Sequence, residues 1–361
     1  MNGRQAEDRH AGSARVMGVP MIELRDNKLL FSFPDVHPHC KLEVEFQRTL
    51  RIPDDGRDYP LPPGLGRFSV AHIDDHAERV PANWRKRGGV MLPMFATEAM
   101  WLKFHCPVVP GHGVGWPFAL KVAAGKINAV DGELWSEPLA ATQDWLSLPT
   151  QPWLDGFFAE KGLIRQFVAM QLGRGYTVEE QLTGSGEHGG AQLIAMPMKR
   201  AAFLARFPKQ PPMADEYRYS QLMSEPMPCA PMSAAPDLGL AAGGRMKQAI
   251  YDDPFGADAY DPSQHSRCFV HLCDAMVWQS LTGAAPPHPA PTARDYSKAG
   301  LPWFDYSSDA AARDSSGWLD KVKSVAAFAK GKNETALAEN DSTTPQLVVP
   351  LAAGQVREGE F

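Results

Sequence analysis

Proline and glycine recur along the whole chain, and this feature most restricts what the chain can fold into. Of the 361 residues, 32 are Pro and 31 are Gly. Pro lacks the N–H group that a helix or a sheet uses, and Gly loses more backbone entropy on folding than any other residue. Such a chain favours many short elements joined by turns, which indicates β structure. Because 44% of the residues are apolar and nine are Trp, the chain can bury a substantial core.

The segment from Lys41 to Ile52 is the clearest single element. Apolar side chains fall on one face of the extended chain, interrupted only by Arg48, and polar side chains fall on the other. This period of two predicts a long, half-buried strand. Shorter strands are predicted at Lys28–Phe33, Arg67–Ile73, Ala99–Phe104, Phe118–Ala123, Lys126–Val130, Leu163–Leu172, Tyr176–Thr183 and Ala191–Met196.

Two of these strands are expected to form a hairpin. Leu163–Leu172 and Tyr176–Thr183 are separated by a short loop with two glycines, which is typical of antiparallel hairpins. Val168 is expected on the buried face of this hairpin. The helical intervals of parallel βαβ units are missing. The sequence therefore predicts a mainly β fold, an antiparallel sandwich-like domain with a smaller α+β C-terminal region.

Composition divides the chain into five regions. They are a disordered leader at 1–18, a β-rich domain at 19–205, a linker or surface excursion rich in Pro and Met at 206–236, an α+β region at 237–330 that packs on the β domain, and a disordered tail at 331–361.

The α+β region is predicted to hold one strand and two helices. The strand covers Ser266–Cys273, and the first helix follows with Asp274 as its N-cap and Gly283 at its C-terminal end. The second helix is predicted to begin at Ser316 and to stop at Gly331.

Charge and cysteine usage exclude several kinds of partner. The net charge is −6, from 36 basic and 42 acidic residues, and no block of Lys and Arg suggests a nucleic-acid partner. No stretch reaches the ~18 to 20 apolar residues of a membrane span, and the N-terminal residues show no apolar signal core.

The five Cys have no regular spacing and are read as reduced thiols, so we expect a cytoplasmic location. The G-x-S-x-G, H-E-x-x-H and phosphate-loop patterns are missing, and no cofactor is predicted.

Two Cys/His groups resemble metal ligands, but no metal site is predicted. The first group lies on or beside one predicted strand and consists of His265, Cys268, His271 and Cys273. On a strand, Cys268 would project from one face and His271 and Cys273 from the other, so the group could not surround one ion. A core strand with buried thiols is therefore preferred. Histidines of a second group lie in loops at the rim of the sheet, and their convergence on a metal stays open: His37, His39, His105 and His112.

Trp153 and Asp155 are the best candidates for ligand binding. They lie in the segment QPWLDG, at a corner marked by Pro and Gly, which would present an aromatic plate and a carboxylate together. Six of the nine Trp lie between residues 84 and 153, so this part of the surface is expected to be rich in Trp.

A glycine-rich segment at 239–247 is the second binding candidate. A turn at Gly243 and Gly244 could present several backbone N–H groups, and Arg245 and Lys247 would add positive charge for an anion. Tight packing under the sheet explains the same glycines and is the preferred interpretation.

Asp155, Arg165 and Glu179 are weak catalytic candidates. Asp155 and Glu179 could act as an acid–base pair. In the expected hairpin, Arg165 and Glu179 would instead form an ordinary cross-strand ion pair, which is preferred.

Several longer motifs resemble a widespread family of uncharacterised bacterial proteins. The motifs are QPWLDG (151–156), IRQFVAM (164–170), GYTVEEQLTG (175–184), GLAAGGRMKQAIYDDP (239–254) and GLPWFDY (300–306). The resemblance spans roughly residues 85–325 and implies that both regions belong to one evolutionary unit. It implies no activity.

Two classes of function remain. The first is a binding or interaction protein that presents a Trp-rich surface to an unknown ligand or protein partner. The alternative is an enzyme of unrecognised type that uses the carboxylates and Arg near 155–181 or the glycine-rich segment 239–247.

Overall fold

Short strands dominate the computed structural model, which describes residues 21–209, 237–335 and 337–352. The strands are β1 (Met21–Arg25), β2 (Lys28–Ser32), β3 (Lys41–Thr49), β4 (Asp58–Tyr59), β5 (Gly64–Arg67), β6 (Ala71–His72), β7 (Val90–Met94), β8 (Ala99–His105), β9 (Phe118–Ala124), β10 (Ile127–Asn128), β11 (Leu146–Leu148), β12 (Trp153–Leu154), β13 (Gly156–Glu160), β14 (Leu163–Gln171), β15 (Ala191–Pro197), β16 (Asp237–Lys247), β17 (Ser266–Asp274), β18 (Pro302–Ser307) and β19 (Leu347–Ala352).

Helices are few and short in the same ranges. The α-helices are α1 (Ala82–Arg87), α2 (Val178–Thr183), α3 (Arg200–Arg206), α4 (Ala275–Thr282), α5 (Ala293–Lys298) and α6 (Val325–Gly331). Single 3₁₀ turns lie at Asp74–His76, Ala257–Ala259, Trp318–Lys321 and Ala338–Asn340. None of the helices in the described ranges is long and apolar enough to cross a membrane. The predicted leader at 1–18 and residues 210–236 of the predicted linker lie outside the described residues.

Two runs of antiparallel strands build the main sheet. The first run is β1–β2–β3–β8 and continues through β14 to β16. The second run is β11–β9–β15–β17. The runs join where β16 pairs with β17. Parallel pairing is confined in the described chain to β16 with β4, β17 with β7, and the separate pair β18–β19.

One hydrophobic core lies between the two runs. It includes Val44 and Phe46 from β3 together with Leu193 from β15, all with no exposed surface. Phe33 and Phe118 meet across it with their ring centroids 5.6 Å apart. The prediction of a mainly β, antiparallel, sandwich-like fold with a smaller α+β C-terminal part is confirmed. The C-terminal part shares the sheet, because β16 and β17 pair with β14 and β15.

Strand β3 is covered on both faces and ends at Thr49, three residues before the predicted end. Glu45, Gln47 and Thr49, which the alternation placed towards solvent, are buried. Glu45 is compensated by Lys28 at 2.9 Å, and Gln47 donates a hydrogen bond to Glu45 at 2.7 Å. Buried polar groups persist where such partners are present. The prediction of a half-exposed strand is therefore wrong.

The predicted hairpin between Leu163–Leu172 and Tyr176–Thr183 is also wrong. Strand β14 pairs instead with β13, β8 and β16. The second arm is helix α2, because Thr177 and Glu180 form a capping box: the Thr177 hydroxyl accepts from the Glu180 N–H, and the Glu180 carboxylate accepts from the Thr177 N–H. Val168 is fully buried as expected, but it packs with Ala241 and with α6.

The C-terminal helices agree with the sequence in part. Helix α4 begins after Asp274, whose side chain accepts from the Met276 N–H at 2.9 Å, and it ends at Gly283 as predicted. The helix expected from Ser316 is broken into a 3₁₀ turn and α6, which begins after the N-cap Ser324.

Several other boundaries differ from the prediction. The predicted strand Arg67–Ile73 is limited to the end of β5 and to β6, and Lys126–Val130 is limited to β10. In the predicted disordered tail, the described residues contain β19, which pairs with all of β18. The apolar run that begins at Leu347 explains this strand.

Candidate functional site

A cleft with aromatic walls lies where five separate parts of the chain meet. We name it the aromatic cleft; it has a volume of about 210 Å³ and is lined by Leu61, Pro62, Pro63, Gly64, Trp101, Trp153, Asp155, Phe304, Tyr306 and Leu351. It contains both residues of the predicted binding corner, Trp153 and Asp155. The structure therefore places the first binding candidate in a concave site.

Strand pairing explains how Trp101 and Trp153 come together. In the β12–β8 pair, Trp153 lies opposite Lys103. Trp101 is two residues from Lys103 on β8, so both side chains project from the same face as Trp153. The side chain of Trp101 reaches Gly64, where a Cβ atom would lie 3.3 Å from Trp101 Cζ2. Glycine at this position leaves room beside the indole ring.

Strand β18 forms the opposite wall. Phe304 and Tyr306 are two residues apart on β18 and share one face. Phe304 exchanges two backbone hydrogen bonds with Leu61, with N···O distances of 2.8 and 2.9 Å, which fix β18 to the segment before β5. Tyr306 meets Trp153 edge to face, with ring centroids 4.6 Å apart. Strand β19 pairs in parallel with β18 and contributes Leu351 to the lining of the cleft.

Asp155 is the charged group of the cleft, and it is almost completely buried. Gln248 Nε2 donates to Asp155 Oδ2 at 2.8 Å, and the Asp155 N–H donates to Gln248 Oε1 at 3.0 Å. The indole of Trp153 also donates to the carboxylate. Burial raises the pKa of Asp155 to about 7, because loss of hydration outweighs the Gln248 and Trp153 hydrogen bonds.

A second polar side chain, Gln151, fixes the corner that carries Trp153. Its amide donates to the Trp153 carbonyl at 2.9 Å, and its carbonyl accepts from the Tyr251 N–H at 3.1 Å. A cavity of about 10 Å³ lies behind Trp153 and includes Lys247 in its lining. Lys247 is thus near the cleft, but its ammonium is 3.3 Å from Asp305.

The candidate anion site in the glycine-rich segment lacks the turn that it would need, and the preferred interpretation, tight packing, agrees with the structure. Gly243 and Gly244 lie inside β16 rather than in a turn. A Cβ atom at Gly243 would lie 2.5 Å from Val168 Cγ2, and one at Gly244 would lie 2.3 Å from the Pro53 carbonyl oxygen. Tight packing therefore explains both glycines. Arg245 is neutralised by two carboxylates, Asp58 and Glu160, each at 2.6 Å.

The three weak catalytic candidates do not converge. Arg165 is 3.9 Å from Asp54 and lines a separate open cavity of about 470 Å³ with Arg245. Glu179 lies on α2, where its carboxylate accepts from the Gly189 N–H and contacts His188 Nδ1, both at 2.9 Å. The predicted Arg165–Glu179 ion pair is absent because α2 replaces the second arm of the hairpin. Only Asp155 faces the aromatic cleft.

Several histidines and cysteines of the two candidate groups are packed within the fold, and the others are partly or fully exposed. His37 stacks on Trp116, and His112 Nδ1 lies 2.6 Å from the Phe207 carbonyl oxygen, whereas His105 is exposed on β8. On β17, Cys268 and Cys273 are buried thiols, and His271 packs between Trp84 and Phe269. Burial lowers the pKa of His271 to about 3. In the described part of the chain, no three His, Cys, Asp or Glu side chains are placed to hold a metal ion.

Sequence reasoning missed four residues of the site. Trp101 belongs to a predicted strand and to the expected Trp-rich region, but it was not itself a binding candidate. Phe304, Tyr306 and Gln248 fall within the motifs GLPWFDY and GLAAGGRMKQAIYDDP, but those motifs implied no role for them. Comparison with protein-family models, with curated proteins and with solved structures finds no match.

Proposed function

We propose that the protein binds a small molecule in the aromatic cleft. The observation that carries the proposal is the convergence of four aromatic side chains on one buried carboxylate, Asp155. Ligand sites are concave and mostly apolar, with a few placed polar groups, and the cleft has this composition. Its volume of about 210 Å³ is below the roughly 300–1,000 Å³ of pockets for drug-sized ligands, so we propose a compact ligand.

An enzyme is the second candidate, and one observation favours it. The pKa of Asp155, raised by burial to about 7, suits a general acid or base near neutral pH. Arg165 and Glu179 lie outside the cleft, so neither of these two catalytic candidates can act together with Asp155. Binding is therefore the better-supported function.

A cytoplasmic location remains part of the proposal. Cys40, Cys106, Cys268 and Cys273 are buried, unpaired thiols. Burial raises the pKa of each thiol, which keeps it protonated and unreactive. Such cysteines are typical of proteins from reducing compartments.

A ligand screen that follows tryptophan fluorescence and thermal shift tests the proposed function. We expect Trp153→Ala to weaken the binding of any ligand of the cleft by about tenfold or more, because truncation of a central aromatic anchor costs about 2 kcal/mol or more. Trp135→Ala is the matched control, since Trp135 is another half-buried indole, which packs beside Lys121 outside the cleft. Ligands that bind equally to both variants would place the binding site elsewhere and contradict the proposal.

A further inference from the structure

Asp155 is the one charged side chain among the ten residues that line the aromatic cleft. We infer that the ligand of the cleft is a compact organic cation, such as an alkylated ammonium group, with Asp155 as its counter-ion. This inference rests on the proposed function and specifies the chemical class of ligand for the same site.

The missing counter-charge of Asp155 is the first argument. Both side chains that hydrogen-bond to its carboxylate, Gln248 and Trp153, are neutral. Neither cation on the adjoining strands lines the cleft: Lys103, on the same face of the sheet as Trp153, is exposed and lies opposite Glu45, and Lys247 pairs with Asp305. An ionised carboxylate that is buried without a cation is costly. A cationic ligand in the cleft would supply the charge that the described residues do not.

The aromatic walls are the second argument. The faces of Trp, Tyr and Phe rings attract cations, and clusters of such rings recognise alkylated ammonium groups. Trp101, Trp153, Phe304 and Tyr306 provide four rings in one cleft. An alkylated ammonium needs few hydrogen-bond partners. A sugar would need several and an anion would be repelled by Asp155, so both fit this lining less well.

Proton release on binding is a direct consequence. The unliganded carboxylate, with its pKa raised by burial to about 7, holds a proton below neutral pH. A cation favours the ionised form, so binding below that pH must expel the proton. The groups that face the carboxylate are the neutral Gln248 amide and Trp153 indole, and Tyr306 is the other titratable group of the lining. Affinity should therefore rise with pH and level off above the pKa.

Calorimetry with choline and with its neutral carbon isostere, 3,3-dimethylbutan-1-ol, tests the inference on the whole chain. At about pH 8 we expect choline to bind at least about tenfold more tightly than the alcohol, from the cation–π and ionic contributions. At about pH 5 we expect choline to bind roughly 100-fold more weakly than at high pH, because protonation then competes with binding. Titrations in buffers of different ionisation enthalpy should show nearly one proton released at low pH.

Two variants separate the contributions. Asp155→Asn should remove the proton release and reduce the preference for choline to its cation–π part, and a thermal melt checks that the variant folds. Trp153→Ala should weaken both probes. The pH dependence of the wild-type protein remains a test if the Asn variant does not fold.

Three results would count against the inference, and they are distinguishable. If the alcohol binds in a Trp153-dependent manner and choline does not, the cation assignment is wrong while the proposed function stands. If choline binds without pH dependence or proton release, Asp155 is not the counter-ion. If no probe or screened ligand depends on Trp153, the proposed function itself fails.

Discussion

Replacing Asp155 with Asn should remove a large pH dependence of stability. Burial raises the pKa of Asp155 from 3.8 to about 7, so the folded state binds its proton more tightly than the unfolded state does. Stability therefore falls as pH rises from the unfolded-state pKa to the folded-state pKa. A shift of about three units corresponds to about 4 kcal/mol, of which about 3 kcal/mol is lost between pH 5 and pH 8.

Asn retains the shape and can still accept the hydrogen bond from Gln248, but it cannot ionise. Relative to the wild-type protein, the Asn variant should therefore gain about 3 kcal/mol of unfolding free energy between pH 5 and pH 8. Urea unfolding of both proteins at the two pH values measures this difference. Asp309→Asn is the control, because Asp309 is exposed. The free energy of unfolding of this variant should follow that of the wild-type protein at both pH values. A wild-type protein that loses no stability relative to the Asn variant at higher pH would refute the reasoning.

Three further expectations concern the packing of the fold. Val168→Asp places a charge in a fully buried site and should prevent accumulation of folded protein, whereas Arg174→Ala, at an exposed side chain, should leave the melting temperature within a few degrees of wild type. A melt of Val168→Asp close to wild type would contradict the assigned burial. Gly244→Ala brings a Cβ against a backbone carbonyl and should cost about 1–3 kcal/mol in denaturant unfolding. Gly331→Ala, at the end of a helix, should be neutral or slightly stabilising, because the added Cβ would meet only the flexible end of Lys323 at 3.8 Å. Equal effects of the two changes would show that the sheet can move to make room. Lys121→Met leaves the buried carboxylate of Asp144, which lies 2.6 Å from the Lys121 ammonium, without a cation. It should lower the free energy of unfolding by about 3–5 kcal/mol in the same measurement, and a loss under about 1 kcal/mol would mean that water reaches the pair.

The sequence predicted the fold class because that prediction depends on local signals. Alternation in β3 and the Asp274 and Gly283 caps of α4 are readable within a few residues, and both elements form. The same local reasoning failed for α2, because the strand predicted at Tyr176–Thr183 followed from β-type residues beside a glycine loop and left the Thr177–Glu180 capping box out of account. A side chain that satisfies an N–H group at the first turn favours a helix over a strand, even in a short segment.

The candidate site was predictable only in part. Trp153 and Asp155 were found because both lie at one corner of the chain. Their neighbours in the cleft, Trp101 and Tyr306, depend on the pairing of β12 with β8 and on the docking of β18. Buried Glu45 shows the same limit, since its counter-ion, Lys28, lies on a different strand, β2. Pairing between distant strands is a property of the whole fold and leaves no local pattern.

The origin of the cleft walls has a consequence for folding kinetics. Leu61 and Leu351 are far apart in the sequence, yet both line the cleft, so its closure depends on contacts of very high sequence separation. Loops of this length form slowly, and the interactions that close them are commonly made after the folding transition state. We therefore expect a bound ligand to leave the folding rate almost unchanged and to slow unfolding instead. The ligand would then stabilise the protein kinetically, because it binds parts of the chain that are far apart in the sequence.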